Sequence, residues 1–266
     1  MKMLHKTSTM MEEHMIYLTG DVHGAYNIRQ KLESYIFPEG QKMTKNDVVI
    51  ICGDFGIPWS YPTDERFSSD IESLKWLDSQ PWTTLFVDGN HENFDMLYQF
   101  PQAQMFGGKA HKLAKSIFHL QRGEIYTIQE KSFLALGGAL SIDKDYRLLK
   151  EHHYNVKLWW EQEMWTSDEQ KHCIENLKKH NNNVDYVIAH TCPQNIVQQI
   201  LNILPHQGSK LYDSTSGFFE ELVTHHIEDF KHWFFGHFHI NSTINQKFTC
   251  LYDEIIDIND GRYLYE

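Results

Sequence analysis

The sequence predicts an α/β fold, and three observations lead there. Short apolar or β-branched runs recur along the chain, and several end in glycine or a polar cluster, as buried strands do. Amphipathic stretches separate the first of these runs, which gives the order β, α, β, α, β, α. Of the 266 residues, 41% are apolar and no low-complexity tract interrupts them, so the chain can build a substantial core.

The strand-like runs are MIYLTGD (15–21), DVVIICGD (47–54), TTLFVDGN (83–90), SFLALGGAL (132–140), VDYVIAH (184–190) and HWFFGHFH (232–239). EIYTIQ (124–129) and FTCLYDEIIDI (248–258) read as edge or closing strands. Apolar residues at three- and four-residue spacing predict helices over 26–36, 67–80, 93–100, 167–180 and 217–227. Fewer helices separate the later strands, which predicts a second, more antiparallel sheet. The polar N-terminus lacks the apolar core of a signal peptide, so residues 1–14 read as a flexible leader and 15–266 as a single domain.

Composition excludes several function classes. No apolar run approaches the roughly 18 residues of a membrane span. A formal net charge of −12 argues against binding extended nucleic acid, which needs a basic surface. The four cysteines, at 52, 173, 192 and 250, form no C-x-x-C pair. They fit a reducing cytoplasm rather than a disulfide framework or a zinc finger.

Five of the runs end in groups that can bind a metal. Asp21 and His23 follow the first, Asp54 the second, and Asn90 and His91 the third; His190 ends a later run, and His237 and His239 another. Ligand sites in open α/β sheets gather at the carboxyl ends of strands, so the fold would converge these residues. Mixed carboxylate and imidazole donors suit Mn²⁺, Fe or Zn²⁺ better than Ca²⁺ or Mg²⁺. Seven ligands exceed one tetrahedral ion and suffice for two metals sharing a bridging carboxylate, the usual device for phosphoester cleavage. Each block taken alone is equally a strand-end turn.

The blocks GDVHG, GDFG, GNHE, AHT and GHFH, in this order over residues 20 to 239, resemble the signature of the calcineurin-like metallophosphoesterases. The resemblance implies a two-sheet mixed β-sandwich flanked by helices, in four layers αββα. It implies one metal on Asp21, His23, Asp54 and His239 and a second on Asp54, Asn90, His190 and His237, with Asp54 bridging. Asp21 and His23 then straddle Val22 to reach the first metal, with Gly20 and Gly24 giving the backbone room. The implied cofactors are two divalent transition-metal ions, Mn²⁺ foremost, that activate a water for in-line attack on phosphorus. His91 carries no metal in this pattern. It stabilises the transition state or protonates the leaving oxygen, which makes His91 and Asp54 the catalytic pair and Asn90 and His91 substrate contacts. The family's Ser/Thr phosphatases carry an aspartate three residues after the bridging one; here that position is Ile57.

Two stretches stand outside the blocks. In GGALSIDKDYR (137–147), Lys144 and Arg147 can bind a phosphate, against the alternative of a solvated charged loop. LWWEQEMW (158–165) reads as a packed helix face or as a stacking wall. The twelve histidines outside the blocks read as surface or helix positions. The sequence thus leads to a cytoplasmic dinuclear hydrolase of phosphomonoesters or phosphodiesters. Its substrate is a phosphorylated small molecule, a nucleotide or a phosphoprotein. The alternatives are a catalytically idle scaffold of the same fold, and a nuclease or cyclic-nucleotide phosphodiesterase.

Overall fold

The central strands are buried on both faces, as sheets covered on both sides require. A computed structural model describes residues 14–204 and 212–260. The expected leader, apart from His14, lies outside the described residues.

Among the described residues, thirteen strands form two mixed sheets. The first sheet holds β1 (Ile16–Thr19), β2 (Val48–Ile51), β3 (Thr83–Phe86), β4 (Gln102–Met105), β5 (Gly108–Lys112), β6 (Ile117–Leu120) and β13 (Ile255–Asp257), ordered β13-β1-β2-β3-β6-β5-β4. The second holds β7 (Ile125–Ile128), β8 (Lys131–Leu136), β9 (Tyr186–Ala189), β10 (His232–Phe235), β11 (Ser242–Ile244) and β12 (Phe248–Cys250), ordered β11-β12-β10-β9-β8-β7.

Strand periodicity divides the core into three. Ile16, Leu18, Val48, Ile50 and Leu85 point inward to meet Phe133, Ala135, Tyr186, Ile188 and Phe234 between the sheets. Their neighbours Tyr17, Val49, Ile51 and Phe86 face outward, under Ile28 and Leu32 of α1 (Ala25–Leu32) and Leu74 and Leu77 of α2 (Phe67–Ser79). On the far side Val187, Ala189, Trp233 and Phe235 pack beneath three helices. These are α5 (Ser167–Lys179), α6 (Gln194–Ile203) and α7 (Ser214–Glu221). The result is the four-layer αββα sandwich. Local signals set the helix ends. Thr166 and Glu169 close a capping box at the start of α5, and Asp213 caps α7 through the Ser216 N–H at 2.8 Å.

Several sequence expectations change. The second sheet is not the more antiparallel one: β12, β10, β9 and β8 run parallel, with antiparallel strands only at its two edges. The helices between β8, β9 and β10 are the crossovers that parallel pairing needs. The run 248–258 is two strands in different sheets, because the chain breaks at Leu251–Glu254 and crosses the sandwich. The helix expected over 93–100 is the single turn α3 (Phe94–Leu97). The charged stretch after Gly138 is not a solvated loop: it enters α4 (Lys144–Tyr154). The Trp-rich stretch is extended, with one 3₁₀ turn at Glu161–Glu163. His111 and His119, outside the blocks, are buried strand residues.

A buried ion pair ties these parts together. Arg122 donates to Asp88 Oδ2 from Nε at 2.9 Å and from Nη2 at 2.5 Å. The same guanidinium reaches the carbonyls of Gln162 at 2.7 Å and Met164 at 3.1 Å, pinning the 3₁₀ turn to the end of β3. His119 Nε2 meets the other oxygen of Asp88 at 3.0 Å, and His111 backs His119 at 3.0 Å. Burial alone would raise Asp88, but the positive Arg122 and the bond from His119 hold it well below the usual carboxylate range.

Arg122→Met leaves the buried Asp88 charge with only His119 beside it, and should cost about 3–5 kcal/mol in urea unfolding near neutral pH. A depressed carboxyl stabilises fully above its unfolded pKa of about 3.9, and that contribution is lost as the pH falls. Stability measured at pH 6 and at pH 3 should therefore fall less in Arg122→Met than in the parent. An equal fall would show that Arg122 does not set the Asp88 titration.

Candidate metal centre

The parallel register of β1, β2 and β3 pairs Thr19 with Ile51 and Ile51 with Phe86, so the loops after these strands leave side by side. The loops after β9 and β10 meet them from the second sheet. Asp21, His23, Asp54, Asn90, His91, His190, His237 and His239 all lie in these five loops, at the carboxyl ends of their strands.

Asp54 stands in the middle. Its Oδ1 accepts the His91 N–H at 2.7 Å and lies 3.1 Å from His190 Nε2; its Oδ2 lies 3.5 Å from His23 Nδ1. Asp21 Oδ1 accepts the His237 N–H at 2.9 Å. Asp21 Oδ2 is 3.0 Å from His239 Nε2 and 3.5 Å from His23 Nε2, yet it is buried and receives no aligned hydrogen bond. The two imidazole nitrogens are themselves 2.9 Å apart. An orphaned carboxylate oxygen facing two imidazoles fits a divalent cation better than any internal hydrogen-bond network. His190 Nδ1 reaches the Cys52 carbonyl at 2.9 Å, which aims Nε2 at Asp54 and at Asn90 Oδ1, 3.1 Å away.

Among the described residues, three groups of acidic and imidazole atoms converge closely enough to hold an ion: Asp21–His23–His239, Asp21–Asp54–His190 and His23–Asp54–His91. His237 belongs to none of them. Its ring meets that of His190 edge-on at 5.0 Å, and it enters the centre through its N–H.

The electrostatics are those of a cation site. Burial disfavours charge on His190, but the Asp54 and Asp21 carboxylates push it up to about 10. Burial would likewise raise Asp21 and Asp54; the surrounding imidazoles hold both well below the usual range. His237 and His91 go the other way, since burial pushes them down to about 3 and about 4.

The backbone is strained where the donors sit. His23, Asp54, His237 and His239 have φ of 55°, 49°, 71° and 53°, the left-handed region, at roughly 1–3 kcal/mol each. Side chains elsewhere make room for them. A Cβ on Gly53 would lie 2.2 Å from the His190 ring, and one on Gly236 would lie 2.1 Å from Asp21 Oδ1. Gly20 abuts the Leu251 carbonyl, and Gly24 takes φ 98°, so both glycines of the first block do steric work.

The two stretches outside the blocks converge on Asn90 and His91. Arg147 is buried on α4; Asp143 holds its Nε at 2.8 Å, and Nη1 donates to the Asn90 carbonyl at 3.1 Å. Its Nη2 lies 2.5 Å from His91 Nε2. Lys144 goes elsewhere, its ammonium 3.7 Å from the centroid of the Trp159 ring. Sequence reasoning missed Ser141 and Glu163. Asn90 Nδ2 donates to Ser141 Oγ at 3.2 Å, which turns Asn90 Oδ1 toward His190. Buried Glu163 holds Ser141 by its N–H at 3.0 Å and its hydroxyl at 2.6 Å. Glu92 of the third block, also buried, accepts the N–H groups of Phe55 at 2.7 Å and Gly56 at 2.9 Å and so clamps the loop carrying Asp54. Burial, with the Asp54 charge nearby, pushes Glu92 up to about 8. Two glutamates, Glu161 and Glu163, stand among the tryptophans, and nothing local marks Glu163 as the one that turns inward.

A four-layer sandwich with a carboxylate–imidazole cluster at its strand ends defines a metallophosphoesterase domain. The chain belongs to the calcineurin-like phosphoesterase family, whose model matches residues 14–241. Comparison with curated proteins finds no match.

Gly89→Ala is the sharpest structural test of the centre. Its Cβ would lie 2.1 Å from Asp54 Oδ1 and 2.4 Å from the Asp54 backbone nitrogen, so Asp54 must move. Bound divalent metal should fall, and stability should drop by about 1–3 kcal/mol, the usual cost of overpacking. Gly107→Ala, with nothing within 4 Å of its Cβ but a φ of 89°, should lose some stability to backbone strain and leave metal content unchanged. Full metal content in Gly89→Ala would refute the packing described here.

Proposed function

We propose that the chain is a dinuclear metal-dependent hydrolase of phosphomonoesters or phosphodiesters. One observation carries this reading: the two oxygens of Asp54 face different half-sites, Oδ2 toward His23 and Oδ1 toward His190. Asp21, His23, Asp54 and His239 would hold one divalent ion. Asp54, Asn90, His190 and His237 would hold the other, with His237 needing to turn its ring toward the centre. Manganese is our first choice among Mn²⁺, Fe and Zn²⁺, because the donors mix oxygen with imidazole. When bound, the two ions would lower the pKa of a water and offset charge on the phosphoryl oxygens.

The chain's own residues supply the rest. Arg147 is fixed at Nε and Nη1, so Nη2 is directed at His91. Arg147 and His91 together would stabilise negative charge on the phosphoryl group. With His91 pushed down to about 4, its ring is neutral at pH 7, which favours this role over donation from an imidazolium. Ile57 is buried where the Ser/Thr phosphatases carry an orienting aspartate, and Arg147 makes the contact that fixes His91. That difference favours a small phosphorylated substrate over a phosphoprotein. The four cysteines are free and buried, in keeping with a reducing cytoplasm. Among the described residues, no helix is long and apolar enough to cross a membrane.

Metal analysis after dialysis should give two ions per chain, with both sites disrupted in Asp54→Ala. One tight ion in the parent, or two retained in the variant, would overturn the bridging role. His91→Ala should keep both ions and lose roughly 10²–10⁴-fold in kcat, the usual worth of a positioned acid–base group. Arg147→Ala should lower kcat/KM about tenfold, or about 1.4 kcal/mol, with metal content unchanged. Loss of metal from His91→Ala would make His91 a ligand instead.

A further inference from the structure

A cavity of about 470 Å³ opens directly off the metal centre. It begins at His23 and His91 and runs between the start of α1 and the chain after β2, past Tyr26, Trp59, Ser60 and Arg66. Neither half of this lining is needed by the centre itself.

Its chemistry is specific. Trp59 is set firmly: its N–H donates to Asp70 Oδ2 at 3.0 Å, its carbonyl accepts Asn93 Nδ2 at 2.7 Å, and its ring meets Trp160 edge-on at 5.5 Å. Tyr26 stands at the mouth, 76% exposed, with no ring or hydrogen-bond partner among the described residues. Ser60 is only 4% exposed, and its N–H is taken by Asp70 at 2.7 Å. Ser60 lines the cavity beside the Asp70 carboxylate, so the wall between the aromatic rings is polar. Arg66, the cation of this lining, is already committed to Asp64 at 2.6 Å.

We propose that this cavity seats the nucleoside of a mononucleotide whose phosphate lies at the metal centre. The proposal rests on the phosphoesterase reading and narrows it. Two aromatic side chains favour a flat ring, since base–aromatic stacking contributes about 1–3 kcal/mol per base. Ser60 and the Asp70 carboxylate in the lining favour a ring or sugar that can hydrogen-bond. A benzene-sized ring fills about 150 Å³. The cavity is about three times that, so a phenyl group alone would underfill it. The cavity starts at His23 and His91, directly beside the centre, so one phosphate spans the two and a second would push the nucleoside outward, which favours monophosphates over diphosphates. Hydrolysis would break the P–O bond to the sugar oxygen and form one to the oxygen of water. One water proton would end on the sugar oxygen, releasing nucleoside and inorganic phosphate.

Phosphate release by the manganese-loaded protein tests this with adenosine and uridine 5′-monophosphates, ADP, phenyl phosphate and glycerol 3-phosphate. At least one nucleoside monophosphate should exceed glycerol 3-phosphate and phenyl phosphate tenfold or more in kcat/KM, and ADP should fall below its monophosphate. Tyr26→Ala, Trp59→Leu and Ser60→Ala should each shrink that preference several-fold, chiefly through KM. Tyr26 is exposed enough that its variant must fold. Tryptophan fluorescence gives a readout without hydrolysis: adenosine or uridine should quench it, and Trp59→Leu should remove the quenching. Hydrolysis of p-nitrophenyl phosphate with neither nucleotide preference nor quenching would overturn this pocket alone. If no phosphate ester is hydrolysed, the phosphoesterase reading falls, and the quenching still decides whether the pocket takes a nucleoside.

Discussion

Asp54 is the residue through which the loops at the top of the sandwich hold one another. Its carbonyl accepts the N–H groups of Val22 at 3.0 Å and His23 at 2.7 Å, fixing the loop after β1. Its carboxylate accepts the His91 N–H, fixing the loop after β3, and faces His190 from the second sheet. Its own backbone is in the left-handed region, and Gly89 leaves the gap its carboxylate fills. A buried carboxylate without these partners would be expelled or neutralised. Held as it is, it draws donors from both sheets to one point and carries the negative charge that a cation would balance.

Behind that hub lies a second, drier network that sets which way the donors point. Arg122 joins the end of β3 to the 3₁₀ turn at Glu161–Glu163, and Glu163 in turn holds Ser141. Ser141 takes the amide hydrogen of Asn90 and so decides which end of that amide faces the centre. Asn90 oxygen and nitrogen are nearly isosteric, and only a hydrogen-bonded neighbour can tell them apart. Arg147 does the same for the ring of His91 from α4. The chain thus commits three separate segments to orienting two adjacent residues.

How much of this was legible in the sequence follows from the range of each interaction. The blocks were readable because a strand of four apolar residues followed by glycine and a polar donor is a local pattern. Five repetitions in order are hard to reach by chance. The strands β4 and β5 were not readable because Gln102–Met105 and Gly108–Lys112 carry few apolar residues, and β6 was missed although Ile117–Leu120 is buried throughout, since four residues between polar neighbours are too short a run to stand out. Helix α4 was mistaken for a loop because its sole buried residue is Arg147, so it lacks the apolar stripe that announces a helix. The direction of the second sheet was misjudged because strand composition does not encode whether a neighbour runs parallel.

By itself, the sequence determined the fold class, the family and the residues that gather at the centre, since each is written in short contiguous patterns of burial and chemistry. Tertiary structure alone decided that Asp54 faces both half-sites, that His237 is turned partly aside, and that Lys144 rests on Trp159 while Arg147 reaches His91. It also decided that Ser141 and Glu163 belong to the centre. These are contacts between residues 15 to 136 positions apart. A side chain's direction at that separation depends on which strands are neighbours and where each ends, and no local stretch of sequence carries that information.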